Sequence, residues 1–79
     1  MKKTYSLKEL EAMPTLSQGQ FDDLKIETPK MRIWLSRMTK EDGQPYNNQV
    51  SIEKLEIYFD KKHNLFTTRW IISKTYQAK

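Results

Sequence analysis

Seventy-nine residues, 37% of them hydrophobic, make one small domain whose core supplies only about 3–5 kcal/mol of net stability and leaves no room for a large buried active site. The absence of cysteine removes disulfides, thiolate metal sites and cysteine nucleophiles, and two glycines are too few for a Rossmann fingerprint or a phosphate loop. Fourteen Lys and Arg against ten Asp and Glu leave a net charge of +4 spread along the chain, which reads first as solubility and second as attraction to polyanions.

The start, Met1-Lys2-Lys3, is basic like a secretory signal, but Lys8, Glu9 and Glu11 stand where its apolar core belongs, so a cytoplasmic chain is expected. Ser6-Leu7-Lys8-Glu9 has the form of a capping box and predicts a helix of about two turns, with Leu7, Leu10 and Met13 on its apolar side and Pro14 ending it. Such a helix is not stable alone and needs an apolar surface to lie on. Thr15 to Gln20 reads as a connection. Alternation of Leu24 and Ile26 predicts a first strand over Leu24–Thr28, with Asp22-Asp23 as an irregular or bulged entry.

Pro29-Lys30 is either a tight turn or a bend before the next strand, Met31–Met38, where Met31, Ile33 and Leu35 share one side and Arg32, Trp34 and Ser36 the other. Asp42-Gly43, Pro45 and Asn47-Asn48 predict a long polar loop over Thr39–Gln49, Asp42-Gly43 being the pair tolerant of positive φ. After it, Val50 and Ile52 have one parity and Leu55, Ile57 and Phe59 the other, so Glu53-Lys54 marks a bulge or a break. Leu55 to Tyr76 is expected to form a hairpin around the polar turn Asp60–Asn64, followed by a fraying tail, Gln77–Lys79. No apolar run is long enough to span a bilayer as a helix.

The single histidine, His63, sits among Asp60, Lys61, Lys62 and Asn64 in the predicted turn and lacks the company a metal site needs; no metal and no cofactor are expected. The carboxylate pairs Asp22-Asp23 and Glu41-Asp42 fit turns better than proton sharing, and no serine lies in an activating context, so the protein is expected not to be an enzyme. What remains is a pattern of aromatic and basic residues. Arg32, Trp34, Arg37 and Tyr46 make a candidate protein-binding surface, since Trp, Tyr and Arg are the side chains that anchor interfaces. Arg32, Trp34, Arg69 and Lys74 make the alternative, a basic stacking face for nucleic acid or nucleotides. The structural alternative is that Trp34 and Trp70 are core residues, which is favoured for Trp70 beside Ile71 and Ile72 and evenly balanced for Trp34.

The runs Ser6–Glu11, Asp23–Thr28 and Trp34–Thr39, followed by Glu41-Asp42-Gly43 and Pro45-Tyr46, resemble small proteins of unknown function encoded by bacteriophages and prophages. The resemblance covers residues 6–55, and the segment Glu56–Asn64 departs from it. It implies a bacterial host cytosol and an accessory role, in which a small domain binds a host or defence component, and it assigns no site residues. The expected architecture is an α+β domain over residues 1–79, a short N-terminal helix packed on a twisted antiparallel sheet of about four strands. Its expected function is non-enzymatic binding of a protein partner, a second copy of the chain included, with nucleic-acid binding as the alternative, a minor role in a phage particle as a third reading, and no membrane association.

Overall fold

The computed structural model describes residues 4–38, 41–43 and 49–79. Its elements are α1 (Leu7–Ala12), β1 (Ser17–Gln18), β2 (Asp22–Thr28), β3 (Met31–Ser36), β4 (Gln49–Asp60) and β5 (Leu65–Gln77). The five strands form one antiparallel sheet in chain order, β1-β2-β3-β4-β5. Strands hold 58% of the described residues and helix 9%, which corrects the expected four-stranded α+β domain to a nearly all-β meander. The helix spans six residues and covers only part of one sheet face, so it adds a lid and not a layer. The additional strand is β1, inside the stretch expected to be a plain connection. It forms because the turn at Gly19–Phe21 folds Ser17 and Gln18 back against Leu24 and Asp23.

The capping box is present as expected. Ser6 Oγ accepts the Glu9 backbone N–H at 3.1 Å, and Glu9 Oε1 reaches back to the Ser6 N–H. Lys25 then secures the far end, where its Nζ donates to the Met13 carbonyl at 3.1 Å and to Thr15 Oγ1 at 2.8 Å. Because a helix this short depends on its ends, Ser6→Ala is expected to lower stability by about 1 kcal/mol, read as a drop in the thermal midpoint by circular dichroism.

Pro29-Lys30 proves to be the tight turn of a hairpin, with Thr28 opposite Met31. The irregularity expected at Asp22-Asp23 falls instead between Leu24 and Ile26, where Lys25 is the extra residue. Its consequence is that Leu24 faces with Trp34 on one side of the sheet while Ile26 faces with Ile33 on the other. On the helix face, Leu10 packs on Ile33, Leu35, Val50, Ile52 and Ala78, all buried, with Tyr5, Leu7, Met13, Ile26, Met31 and Tyr76 around them. Each fully buried aliphatic side chain here contributes about 1.5–3 kcal/mol. The tail does not simply fray: Ala78 is 3% exposed and belongs to this core. Close by, the Tyr76 hydroxyl accepts the Tyr5 N–H at 2.7 Å and donates to the Tyr5 carbonyl at 3.2 Å, tying the start of the chain to its end.

The expected hairpin is the longest element pair, 12 and 13 residues, joined through the turn at 61–64 with Asn64 at φ 53°. Gly43 takes φ 86°, as the Asp42-Gly43 pair suggested; the rest of the predicted loop over 39–49 lies mostly outside the described residues.

Candidate functional site

The parity switch in β4 is neither a bulge nor a break in that strand. β4 runs on without interruption, and the extra residue is Ser73 in β5, between the pairs Ile52–Lys74 and Glu53–Ile72. Val50 and Ile52 therefore point to the helix face, while Leu55, Ile57 and Phe59 point to the opposite, open face. One helix can cover one face only. Beyond Lys54, which is opposite Met31, and the bond from the Leu55 N–H to the Lys30 carbonyl, β4 has β5 as its sole paired strand among the described residues. The distal part of the hairpin is thus a two-stranded ribbon, and it contributes to the 51 Å long axis of the molecule.

On the open face of this ribbon the cross-strand pairs are Phe59–Phe66, Ile57–Thr68, Leu55–Trp70 and Glu53–Ile72. Phe59 and Phe66 meet edge to face, with centroids 5.2 Å apart. Ile57 is 71%, Phe66 74%, Ile72 65% and Phe59 45% exposed. At about 150–200 Å² for a fully exposed side chain of this size, these four leave roughly 450 Å² of apolar surface in water, in the range where the largest patch on a monomer is often functional.

Arg32 borders the patch, its guanidinium 4.1 Å from the Trp70 ring centroid and its Nε 3.0 Å from Glu27 Oε2. Trp70 is half-buried and stands outside the buried cluster, which corrects the expectation of a core residue, and its neighbours Ile71 and Ile72 are exposed. Trp34 is half-buried as well. Its indole N–H donates to Glu53 Oε1 at 2.5 Å, and Gly19 packs against the ring, where an added Cβ would lie 3.6 Å from Cζ3. Trp34, Gly19, Asp22, Ser51, Glu53 and Ile72 line a cleft of about 250 Å³ at the base of the patch. Burial pushes the Asp22 carboxyl above its ordinary range, an effect that Arg37 opposes and Asp23 reinforces.

The residues singled out for protein binding do not gather into one surface. Arg32 and Trp34 share the open face, but Arg37 turns toward Asp23, with Nε 2.7 Å from Oδ1 in an ion pair that is not aligned as a hydrogen bond. The same guanidinium donates to the carbonyls of Gly19 and Gln20 and so holds the β1–β2 turn. Tyr46 lies outside the described residues. The nucleic-acid set is divided between faces: Arg32 and Trp34 are on the open side, while Arg69 and Lys74 are on the side of Glu56 and Ile52. There Arg69 pairs with Glu56 at 2.7 Å, lies over the Tyr58 ring at 4.5 Å, and has its pKa raised further by the Glu56 hydrogen bond and charge. Lys74 Nζ is 5.7 Å from the Tyr76 ring centroid.

Sequence reasoning passed over Ile57, Phe59, Phe66 and Ile72 as site residues. The signal for two of them, Ile57 and Phe59, is the β4 parity switch combined with a single short amphipathic helix, which together leave one apolar face without a cover. His63 sits in the hairpin turn, its Nδ1 2.7 Å from Asp60 Oδ2, and this contact holds the Asp60 carboxyl below its ordinary range, with the His63 and Lys62 backbone N–H groups adding to it. Among the described residues no cluster of three or more His, Asp or Glu side chains could hold a metal ion, and no helix is long and apolar enough to cross a membrane. No known protein family, curated protein or solved structure matches the chain.

Proposed function

We propose that this is a non-enzymatic accessory protein that binds a protein partner through the open face of the β4–β5 hairpin. The observation that carries this reading is the apolar stripe of Ile57, Phe59, Phe66 and Ile72, which no described part of the chain covers. An isolated two-stranded ribbon is marginal in water, so an exposed apolar ribbon gains by docking. Arg32 stacked on Trp70 supplies the polar and aromatic border common at such interfaces. The resemblance of residues 6–55 to small phage proteins supports a host or defence component of the bacterial cytosol as the class of partner. A polyanion partner has less to rest on, because the basic residues are divided between faces and Arg32 and Arg69 are already paired with Glu27 and Glu56.

The test is a double variant, Ile57→Ser with Phe66→Ser. Both side chains are more than two-thirds exposed, so the change at Ile57 is expected to cost no more than about 0.5 kcal/mol, and the change at Phe66, which also breaks the edge-to-face contact with Phe59, about 0.5–1.5 kcal/mol. Quantitative capture of bacterial lysate proteins by the native chain and by the variant, with a retained cooperative thermal transition as the check on folding, is expected to show at least a tenfold loss of the specifically bound partner. Equal capture by a folded double variant rules the face out.

A further inference from the structure

The second exposed element of the hairpin is its outer edge, which is separate from its face. β5 is the terminal strand of the sheet and its longest, with β4 on one side and no described strand on the other. An unpaired edge of this kind presents a row of backbone N–H and C=O groups that templates pairing with another strand. The opposite edge is blunted by its brevity, since β1 has two residues, and the Arg37 guanidinium binds the carbonyls of the adjoining turn. β5 has no such protection from Leu65 to Ile72: the run contains no proline, is rich in aromatic and β-branched residues, and carries one charge, Arg69, already paired with Glu56.

We propose that β5 pairs antiparallel with β5 of a second copy of this chain, about a two-fold axis through Thr68. The register follows from symmetry and charge. A two-fold perpendicular to the sheet places one residue opposite its own mate and keeps each face continuous across the junction. The ladder must fit between the turn, which ends at Asn64, and the Ser73 bulge, so the axis falls near the middle of that run. An axis at Arg69 would set two guanidinium groups directly opposite each other, which is unfavourable.

At Thr68 the pairs become Thr68 with Thr68, Phe66 with Trp70, Leu65 with Ile71 and Thr67 with Arg69. These are combinations that stabilise neighbouring strands, and no like charges are opposed within the ladder. Lys62 in the turn and Lys74 beyond the bulge fall outside it. The assembly is a ten-stranded sheet in which the two apolar stripes lie side by side as one platform. An edge contact of this length lies below the roughly 800 Å² per partner of a standard interface, so the dimer is expected at high micromolar protein and not at nanomolar. The inference goes beyond the protein-binding reading: it concerns the strand edge and stands whether or not the face has a foreign partner.

Because the native chain has no cysteine, single cysteines report the register directly. Thr68→Cys places two thiols on an opposed pair, about 4.5–5.5 Å apart at Cα and within disulfide reach. Ile57→Cys lies one strand further in, with its mate about 14 Å away across the junction, outside that reach. Under mild oxidation Thr68→Cys is expected to cross-link to dimer at least tenfold faster than Ile57→Cys. Sedimentation of the native chain at hundreds of micromolar is expected to approach twice the 9.5 kDa of one chain, and Thr67→Lys, which lies with Tyr58 on the side away from Ile57 and Phe66 and sets a lysine opposite the mate's Arg69, to return it to one. A native chain that stays at one chain's mass, or equal cross-linking at the two positions, overturns the proposal. Loss of the dimer in Thr67→Lys with retained partner capture separates the edge from the face.

Discussion

Replacing Ile33 with alanine is expected to leave the chain largely unfolded at room temperature. Ile33 is 1% exposed and occupies the middle of β3, opposite Ile26 on one side and Ile52 on the other, in the buried cluster with Leu10. Truncating a buried isoleucine to alanine costs about 2–5 kcal/mol, the upper part of which applies where neighbours cannot collapse into the space. Here they cannot readily do so, because Ile26 and Ile52 are fixed by strand register and Leu10 by a capped helix. Set against a net stability of about 3–5 kcal/mol for a domain of this size, the loss removes most of the folded population. Urea titration followed by far-ultraviolet circular dichroism checks this. Ile33→Val, losing about 0.5–1.5 kcal/mol, is expected to remain folded with a lower midpoint, and Ile57→Ala on the open ribbon to be indistinguishable from the native chain.

The contrast between Ile33 and Ile57 shows which parts of the fold a sequence of this kind discloses. Alternation identified Ile33 as facing the core, and it put Ile57 in the parity opposite to Ile52, because parity is a property of the strand itself; reading that switch as a bulge or a break at Glu53-Lys54 left the open face unseen. Who covers a face is a property of the rest of the chain, and a six-residue helix covers one side of the proximal sheet. The capping box at Ser6 and the hairpin around Asp60–Asn64 were legible because each is encoded within a few residues. The bulge was not, since the switch visible in β4 is accommodated by an extra residue in β5 at Ser73, where the local pattern of Ile71-Ile72-Ser73-Lys74 carries no bulge signature. β1 escaped notice for a different reason. Ser17 and Gln18 are exposed, carry no apolar alternation, and are held by a turn whose carbonyls are bound by Arg37, far along the chain.

The candidate site followed the same division. Arginine and tryptophan in β3 were visible as residue types suited to interfaces, and parity placed Arg32 and Trp34 on one face. Their partners were not visible. Arg37 meets Asp23 and two turn carbonyls, Arg32 meets Glu27 and Trp70, and Trp34 meets Glu53, so side chains that read as recognition residues act mainly within the fold. The apolar surface left exposed is instead built from aliphatic and phenyl side chains of the kind that read as core.

Trp34→Ala is accordingly expected to destabilise the domain by about 2–4 kcal/mol, and not merely to weaken an association. The half-buried ring packs on Gly19, lies across from Leu24 in β2 and Ser51 in β4, and lines the cleft with Ile72. Leu24 is 5% exposed although it faces away from the helix and its cluster, so its burial depends on what the open face provides, and Trp34 is its cross-strand neighbour. Removing the indole opens the apolar contact and also deprives the Glu53 carboxylate of its N–H donor. Trp34→Phe is the milder change, since it keeps an aromatic ring at this place while losing the hydrogen bond and part of the indole, for an expected cost of about 1–2 kcal/mol. Urea midpoints should therefore order native, Trp34→Phe, Trp34→Ala. A Trp34→Ala variant that melts with the native chain would mean that the ring is not needed to bury Leu24, and would return Trp34 to the surface as a free anchor for a partner.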